Sequence, residues 1–283
     1  MAYGRRVAKQ KGKKSEFTFE AHPDVVGEIR LEKNPPDNIC NACQTEQVLT
    51  LDHVPPQGTG NRRKWQYQSY FNHITNPKFK KQFTQNGLSW QSVCRSCHTK
   101  IGRFDTAICD LYSRLKAQYK VKGRPYLPIA VRPAAIIRGT LMHFLSAKSY
   151  HTRCVSEDLF ANLLDDDSYK LPDKSHFYLF PFMQKQIRVF NGLGLPLDSE
   201  NIVLVHCVKI YPIAMLWSDS ALPLEGLYDW NCWYKESVDT EAYIKFPAVM
   251  PVDDEFPERY LFGSGMQLLG QSSVESVIAW SRK

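Results

Sequence analysis

Two Cys-x-x-Cys pairs place the strongest constraint on this chain: Cys40-Asn41-Ala42-Cys43 and Cys94-Arg95-Ser96-Cys97. Each pair turns two thiols to one side of a knuckle, and four thiolates can close a tetrahedral zinc site with no open position, which serves structure. The chain must then bring residue 40 back to residue 94. Two such pairs alone would suit a zinc ribbon that only binds, or redox pairs. Other residues share the stretch, however. Leu51-Asp52-His53-Val54-Pro55-Pro56 lies between the knuckles, and His98 directly follows Cys97. With the cysteines assigned to a structural ion, Asp52, His53 and His98 remain as a second set with the chemistry of a hydrolytic metal centre.

The two CxxC pairs, the Asp52-His53 dipeptide running into two prolines, and the CxxCH segment ending at His98 together resemble the HNH (ββα-metal) endonucleases. The closest likeness is to those braced by a four-cysteine zinc site. The resemblance implies a short β-hairpin carrying Asp52-His53, packed on a helix that begins near the second knuckle. It implies a structural zinc on Cys40, Cys43, Cys94 and Cys97. His53 would be the general base, since an imidazole titrating near ~6.5 is largely neutral at cellular pH. Asp52 and His98 would hold one Mg²⁺ or Mn²⁺ at the scissile phosphate, a donor pair that leaves positions for water and phosphate. The family has an Asn five residues before the second CxxC, to orient the loop of the base; Ser89 stands there, and Asn86 is the nearby candidate. Gly102 occupies the place, one helical turn after His98, where many members carry a further ligand. By family analogy the substrate is nucleic acid, DNA ahead of RNA, and the setting phage defence or a mobile element. The alternative is a zinc-dependent nucleic-acid-binding protein without turnover.

Charge is unevenly distributed. Residues 1–132 hold 23 Lys and Arg against 10 Asp and Glu, whereas residues 133–283 hold 13 against 19, within a net charge of +7. A basic half that carries the metal motif suits a polyanionic substrate, and the asymmetry predicts two domains. The apolar and charged fractions of 43% and 23% are those of an ordinary globular protein. No apolar run reaches the ~20 residues of a membrane span, no secretory signal is expected at the N-terminus, and the expected location is the cytoplasm, where thiols stay reduced. Cys109, Cys154, Cys207 and Cys232 then read as scattered buried residues.

The fold class read from these patterns is α+β. Residues 1–15, with Arg5, Arg6, Lys9, Lys11, Lys13 and Lys14, predict a disordered basic arm. Residues 16–122 form the nuclease domain, in which Val48 to His53 reads as a strand ended by prolines. The insertion at residues 57–90 is basic and aromatic; its Arg62, Arg63, Lys64, Lys80 and Lys81 are the expected phosphate contacts, and its aromatics read mainly as the core of a small helical subdomain. After His98, Ile101, Phe104, Ile108, Leu111, Tyr112 and Leu115 predict one amphipathic helix with Arg95, Lys100 and Arg103 near its start, where a phosphate would be favoured. Lys120 to Pro133 reads as a linker. Residues 133–283 then predict a C-terminal domain: helices over 134–147 and 157–164, an exposed turn at Asp165-Asp166-Asp167, and an antiparallel sheet from Phe177–Phe182, Ile187–Phe190, Ile202–Tyr211, Met215–Trp217 and Ala242–Phe246. His176 and His206 read as structural. The domain's expected role is to hold a regulatory protein partner, a second nucleic-acid segment or another copy of the chain.

Overall fold

The β-branched and aromatic runs of the second half pair with their sequence neighbours, as short turns dictate. In the computed structural model, β8 (His176–Pro181), β9 (Gln186–Pro196), β10 (Ile202–Ile210) and β11 (Ile213–Ser218) form antiparallel ladders β8–β11–β10–β9. The structure describes residues 5–9, 16–20, 38–76, 78–119, 128–148, 155–166, 168–196, 201–222, 227–246, 257, 267–268 and 276–281. These central strands are apolar on both faces, so both faces are covered. Phe177, Leu179, Met215 and Trp217 point to one core, and Tyr178, Phe180, Ala214 and Leu216 to the other.

Helices cover the first face. α4 (Pro133–Ser146) starts on a proline, whose missing N–H costs nothing in the first turn, and every one of its residues is buried. A helix buried around its whole circumference lies in the middle of a structure, and its few polar groups must find partners there. It packs against α5 (Val155–Asp165), α3 (Asp105–Gln118) and α2 (Arg95–Gly102). Gly139 permits the close approach to α3: a Cβ there would meet Phe104 Cβ at 2.7 Å and Ile108 Cδ1 at 3.0 Å. The expected single helix after His98 is two, α2 and α3, broken at Arg103-Phe104; the apolar side chains of both still face the core.

The insertion is not a helical subdomain. It supplies β4 (Trp65–Ser69), the six-residue α1 (Tyr70–Thr75) and β5 (Gln82–Thr84). β4 pairs with β15 (Val277–Ser281), which in turn pairs with β9, so β4 and β5 extend the C-terminal sheet to its edge. The same core cluster runs from Cys40 to Ala279. Members of that cluster lie on both sides of the expected linker, and β7 (Pro128–Val131), inside it, pairs with β13 (Ala242–Lys245) and buries Ile129 and Val131. β12 (Tyr228–Asp229) and β14 (Gln267–Leu268) add short pairs on β8 and β9.

β1 (Arg5–Lys9), in the basic arm where the composition predicts no element, pairs with β2 (Glu16–Glu20), just beyond it, as a separate ladder. The rest of the arm, Cys154 and Asp167 lie outside the described residues. Asp165 ends α5 and meets Lys100 at 2.5 Å. His176 bonds Asp229 at 2.9 Å, and burial drives the His206 pKa down to about 3, beside Ser156 Oγ at 2.8 Å; both fit structural roles. Among the described residues no helix is long and apolar enough to cross a membrane.

Candidate metal centres and groove

The first knuckle is closed by Gln44 N donating to Cys40 O at 2.8 Å, with Gln44 at a positive φ of 57°. The second is made where strand becomes helix: Cys94 ends β6 (Ser89–Cys94) and Cys97 lies in the first turn of α2. β6 pairs with β3 (Leu49–His53), with Leu49 opposite Cys94. The four Sγ atoms lie within 4.8 Å of one another, and Cys43 Sγ stands 3.9 Å from Cys94 Sγ. Sulfurs ~2.3 Å from a tetrahedral ion are spaced ~3.8 Å apart, so this donor set is arranged to hold a metal ion and fits zinc. Cys94 N donates to Cys40 Sγ at 3.2 Å, and the hydrogen bond from Cys97 is the largest cause bringing Cys40 down to about 4, while Cys97 itself is pushed up. Four crowded thiols cannot all ionise without a cation among them.

One residue of β6, Ser92, is bulged out of register between Val93 and Gln91. It is fully buried and donates to Ser146 O at 2.6 Å, which ties the hairpin to α4. Past the bulge, Asp52 points into the protein and His53 outward. Asp52 is 2% exposed. Its Oδ1 stands 3.5 Å from Nε2 of half-exposed His98, whose Nδ1 is 3.0 Å from Thr50 Oγ1. Two donors each ~2.1 Å from one cation stand ~3.0–3.5 Å apart, so this pair fits a shared divalent ion.

Asp52 Oδ2 is engaged from the other side by two residues of α4. His143 Nδ1 stands at 3.2 Å, and Ser146 Oγ donates to the same oxygen. His143 Nε2 in turn is 2.8 Å from Asp105 Oδ1, at the start of α3. Burial opposes charge on His143, but the two carboxylates outweigh it and raise its pKa to about 10. It is therefore an imidazolium at neutral pH, donating from both nitrogens. Burial likewise pushes Asp52 up, yet the charge of His143 and the hydrogen bonds from His143 and Ser146 hold it below the usual carboxylate value.

His53 is held differently. Burial lowers its pKa, which favours the neutral ring. Arg62 Nε donates to Gln57 Oε1 at 3.2 Å, Gln57 Nε2 lies 2.9 Å from His53 Nε2 and 3.3 Å from its Nδ1, and His53 Nε2 is 3.0 Å from the carbonyl of Asn86. With Nε2–H donating to that carbonyl, Nδ1 keeps its lone pair.

Protein-family models, curated proteins and solved structures were compared with the chain, and none matches.

Asn86 thus reaches His53 through its backbone, and its side chain is exposed. The side chain that braces this loop is Asn61, which is fully buried. Its Nδ2 donates to Pro55 O at 2.7 Å and Leu88 O at 2.9 Å, and its Oδ1 accepts from Leu88 N at 2.8 Å. The segment after His53 is so tied to the strand across from it. Gly87 is required beside it: φ is +94 to +97° at Gly60 and Gly87, and a Cβ on Gly87 would stand 1.7 Å from Asn61 O. Asn61→Ala leaves buried backbone groups unpaired at ~1–3 kcal/mol each. Its melting temperature is expected to fall by several degrees in a thermal melt, at unchanged zinc content.

The expected phosphate contacts are dispersed. Arg62, Arg63 and Lys64 are exposed on one loop, and Lys80 is exposed before β5. Lys81 Nζ sits 4.6 Å over the Trp280 ring. Arg95 is exposed on the first turn of α2, Lys100 is paired with Asp165, and Arg103 stacks at 4.5 Å on Phe104. A groove of ≈ 880 Å³ opens beside His53, between the hairpin and edge strand β5.

Proposed function

We propose that the chain is a metal-dependent nuclease of the HNH type, hydrolysing phosphodiester bonds in nucleic acid, with DNA favoured. The observation that carries this reading is Asp52 Oδ1 facing His98 Nε2 at 3.5 Å while His53, the next residue on the same strand end, faces the groove. Adjacent strand residues point to opposite faces, so Asp52 is turned to His98 and His53 to the groove. Zinc on Cys40, Cys43, Cys94 and Cys97 holds the hairpin to α2. Asp52 and His98 would hold Mg²⁺ or Mn²⁺, which when bound supplies charge stabilisation at the phosphate and leaving oxygen. His53 Nδ1 takes a proton from the attacking water. With its Nε2–H given to the Asn86 carbonyl, His53 carries its accepting lone pair on Nδ1, where the attacking water takes the place of Gln57 Nε2, and the carbonyl steadies the imidazolium that results. His143 and Ser146 keep one carboxylate oxygen of Asp52 occupied, so only the other is turned towards His98.

The test is cleavage of plasmid DNA, single-stranded DNA and RNA at low salt with Mg²⁺ or Mn²⁺. His53→Ala is expected to fold, keep its zinc and lose at least ~10²-fold in rate, as removal of a general base does. Equal cutting by wild type and His53→Ala would sink the reading. Nucleic acid bound but never cut would leave a non-catalytic zinc-dependent binding protein.

A further inference from the structure

The groove beside His53 has an unusual lining for a site acting on a polyanion. Among the described residues that line it, Arg62 is the one fixed charge. The rest is uncharged or imidazole: Gln57, Gln82, Gln85 and Gln91 contribute carboxamides, Tyr67, Thr84 and Ser89 bring hydroxyls, and Phe83 and Leu51 stand at the walls with 54% and 51% of their surface exposed. Exposed large apolar side chains are few among the described residues, and two of them meet in this groove. Carboxamides carry both a donor and an acceptor, the pattern that pairs with base edges, and an aromatic face accepts a stacked base of any kind. A duplex offers the opposite chemistry, phosphates outward and bases stacked within. Gln91 lies opposite Leu51 and Ser89 opposite His53 on the hairpin, so the lining continues directly to the base. Arg63 and Lys64, exposed and next to Arg62, give a place for the phosphates at the rim.

We propose that this groove takes unpaired bases, and that the substrate is single-stranded nucleic acid rather than intact duplex. The proposal deepens the nuclease reading by naming the substrate class of its site. In this arrangement Phe83 is a stacking residue, the glutamines contact base edges, and the strand is led past His53 by its bases more than by its charge. The cavity has room for this, being at the upper end of the range for small-ligand pockets.

The test is fluorescence anisotropy without added Mg²⁺, so that binding is read apart from turnover. The probes are a labelled single-stranded DNA, the same sequence as RNA, the DNA annealed to its complement, and a single strand of equal length made of abasic sites. Single strands are expected to bind at least tenfold tighter than duplex, and the abasic strand, with the same phosphates, to lose most of that affinity; DNA and RNA arms show which sugar is preferred. Phe83→Ala should weaken single-strand binding about tenfold, at unchanged melting temperature and zinc content. Equal affinity for duplex, an abasic strand bound as well as the normal one, wild-type affinity in Phe83→Ala, or no binding at all would each overturn the proposal. Base-dependent binding with no cutting would keep it and sink the nuclease reading. Cutting of duplex that needs His53 and is indifferent to Phe83 would do the reverse.

Discussion

Cys94→Ser is expected to lose its zinc and either fail to accumulate as soluble protein or melt at least ~10 °C lower. Cys94 is 5% exposed, ends β6, and begins the turn into α2, so its thiolate joins strand, helix and first knuckle at once. Structural zinc sites bind with apparent energies of ~10–16 kcal/mol, which matches the whole ~5–15 kcal/mol that keeps a domain folded. Losing even a third of that moves the melting temperature of a chain this size by the stated amount. Metal analysis should give one zinc per wild-type chain and close to none in the variant. Cys232→Ser is the control, because Cys232 is exposed and away from the four-cysteine cluster; it should keep both zinc and melting temperature. Full zinc content and unchanged melting in Cys94→Ser would show that the cluster is not a metal site.

How much of this was legible beforehand depended on the range of the interactions. The knuckles, the strand ending at His53 and the helix after Cys94 are local patterns, and CxxC spacing marks a ligand pair without any knowledge of the fold. The resemblance points to an Asn before the second knuckle as the brace of the base loop, and the contact of Asn86 with His53 is through its backbone carbonyl. The side-chain brace, Asn61, sits in a Gly-rich basic loop where a buried Asn has no local signature. The partners of Asp52 were missed for a different reason. His143 lies 91 residues away in a helix read for its apolar face. A signal existed in Arg138, His143 and Ser146, polar groups in a segment with no exposed side to put them on. The sheet joining the two halves is beyond pattern reading altogether, since β4 and β15 pair although they lie far apart in the chain. Alternation tells that a strand has a buried face; it does not tell which strand it will lie beside.

Those missed partners carry the second large effect. Asp52 and His143 are both almost fully buried, and each favours the charged form of the other against the penalty of burial. Removing one member of a buried pair strands the other, typically at ~3–5 kcal/mol. His143→Ala should therefore melt far below wild type, whereas Asp105→Asn should cost less, because the Asp105 side chain is 34% exposed and water can replace the bond. The pH dependence has a definite sign. A histidine whose pKa rises from ~6.5 in the unfolded chain to about 10 in the fold takes up a proton on folding anywhere between those values. Its contribution is complete below ~6.5 and is lost as the pH climbs through about 10. Thermal melts of wild type in Mg²⁺-free buffer should show this slope, and His143→Gln should lack it. The double variant Asp52→Asn/His143→Gln removes both charges and leaves two amides of similar shape. It is expected to be more stable than His143→Ala, since a neutral pair avoids the stranded charge. If His143→Ala melts with wild type, or if the double variant is the least stable of all, then α4 does not hold the carboxylate by charge, and the geometry at Asp52 must come from the hairpin and its bulge at Ser92 alone.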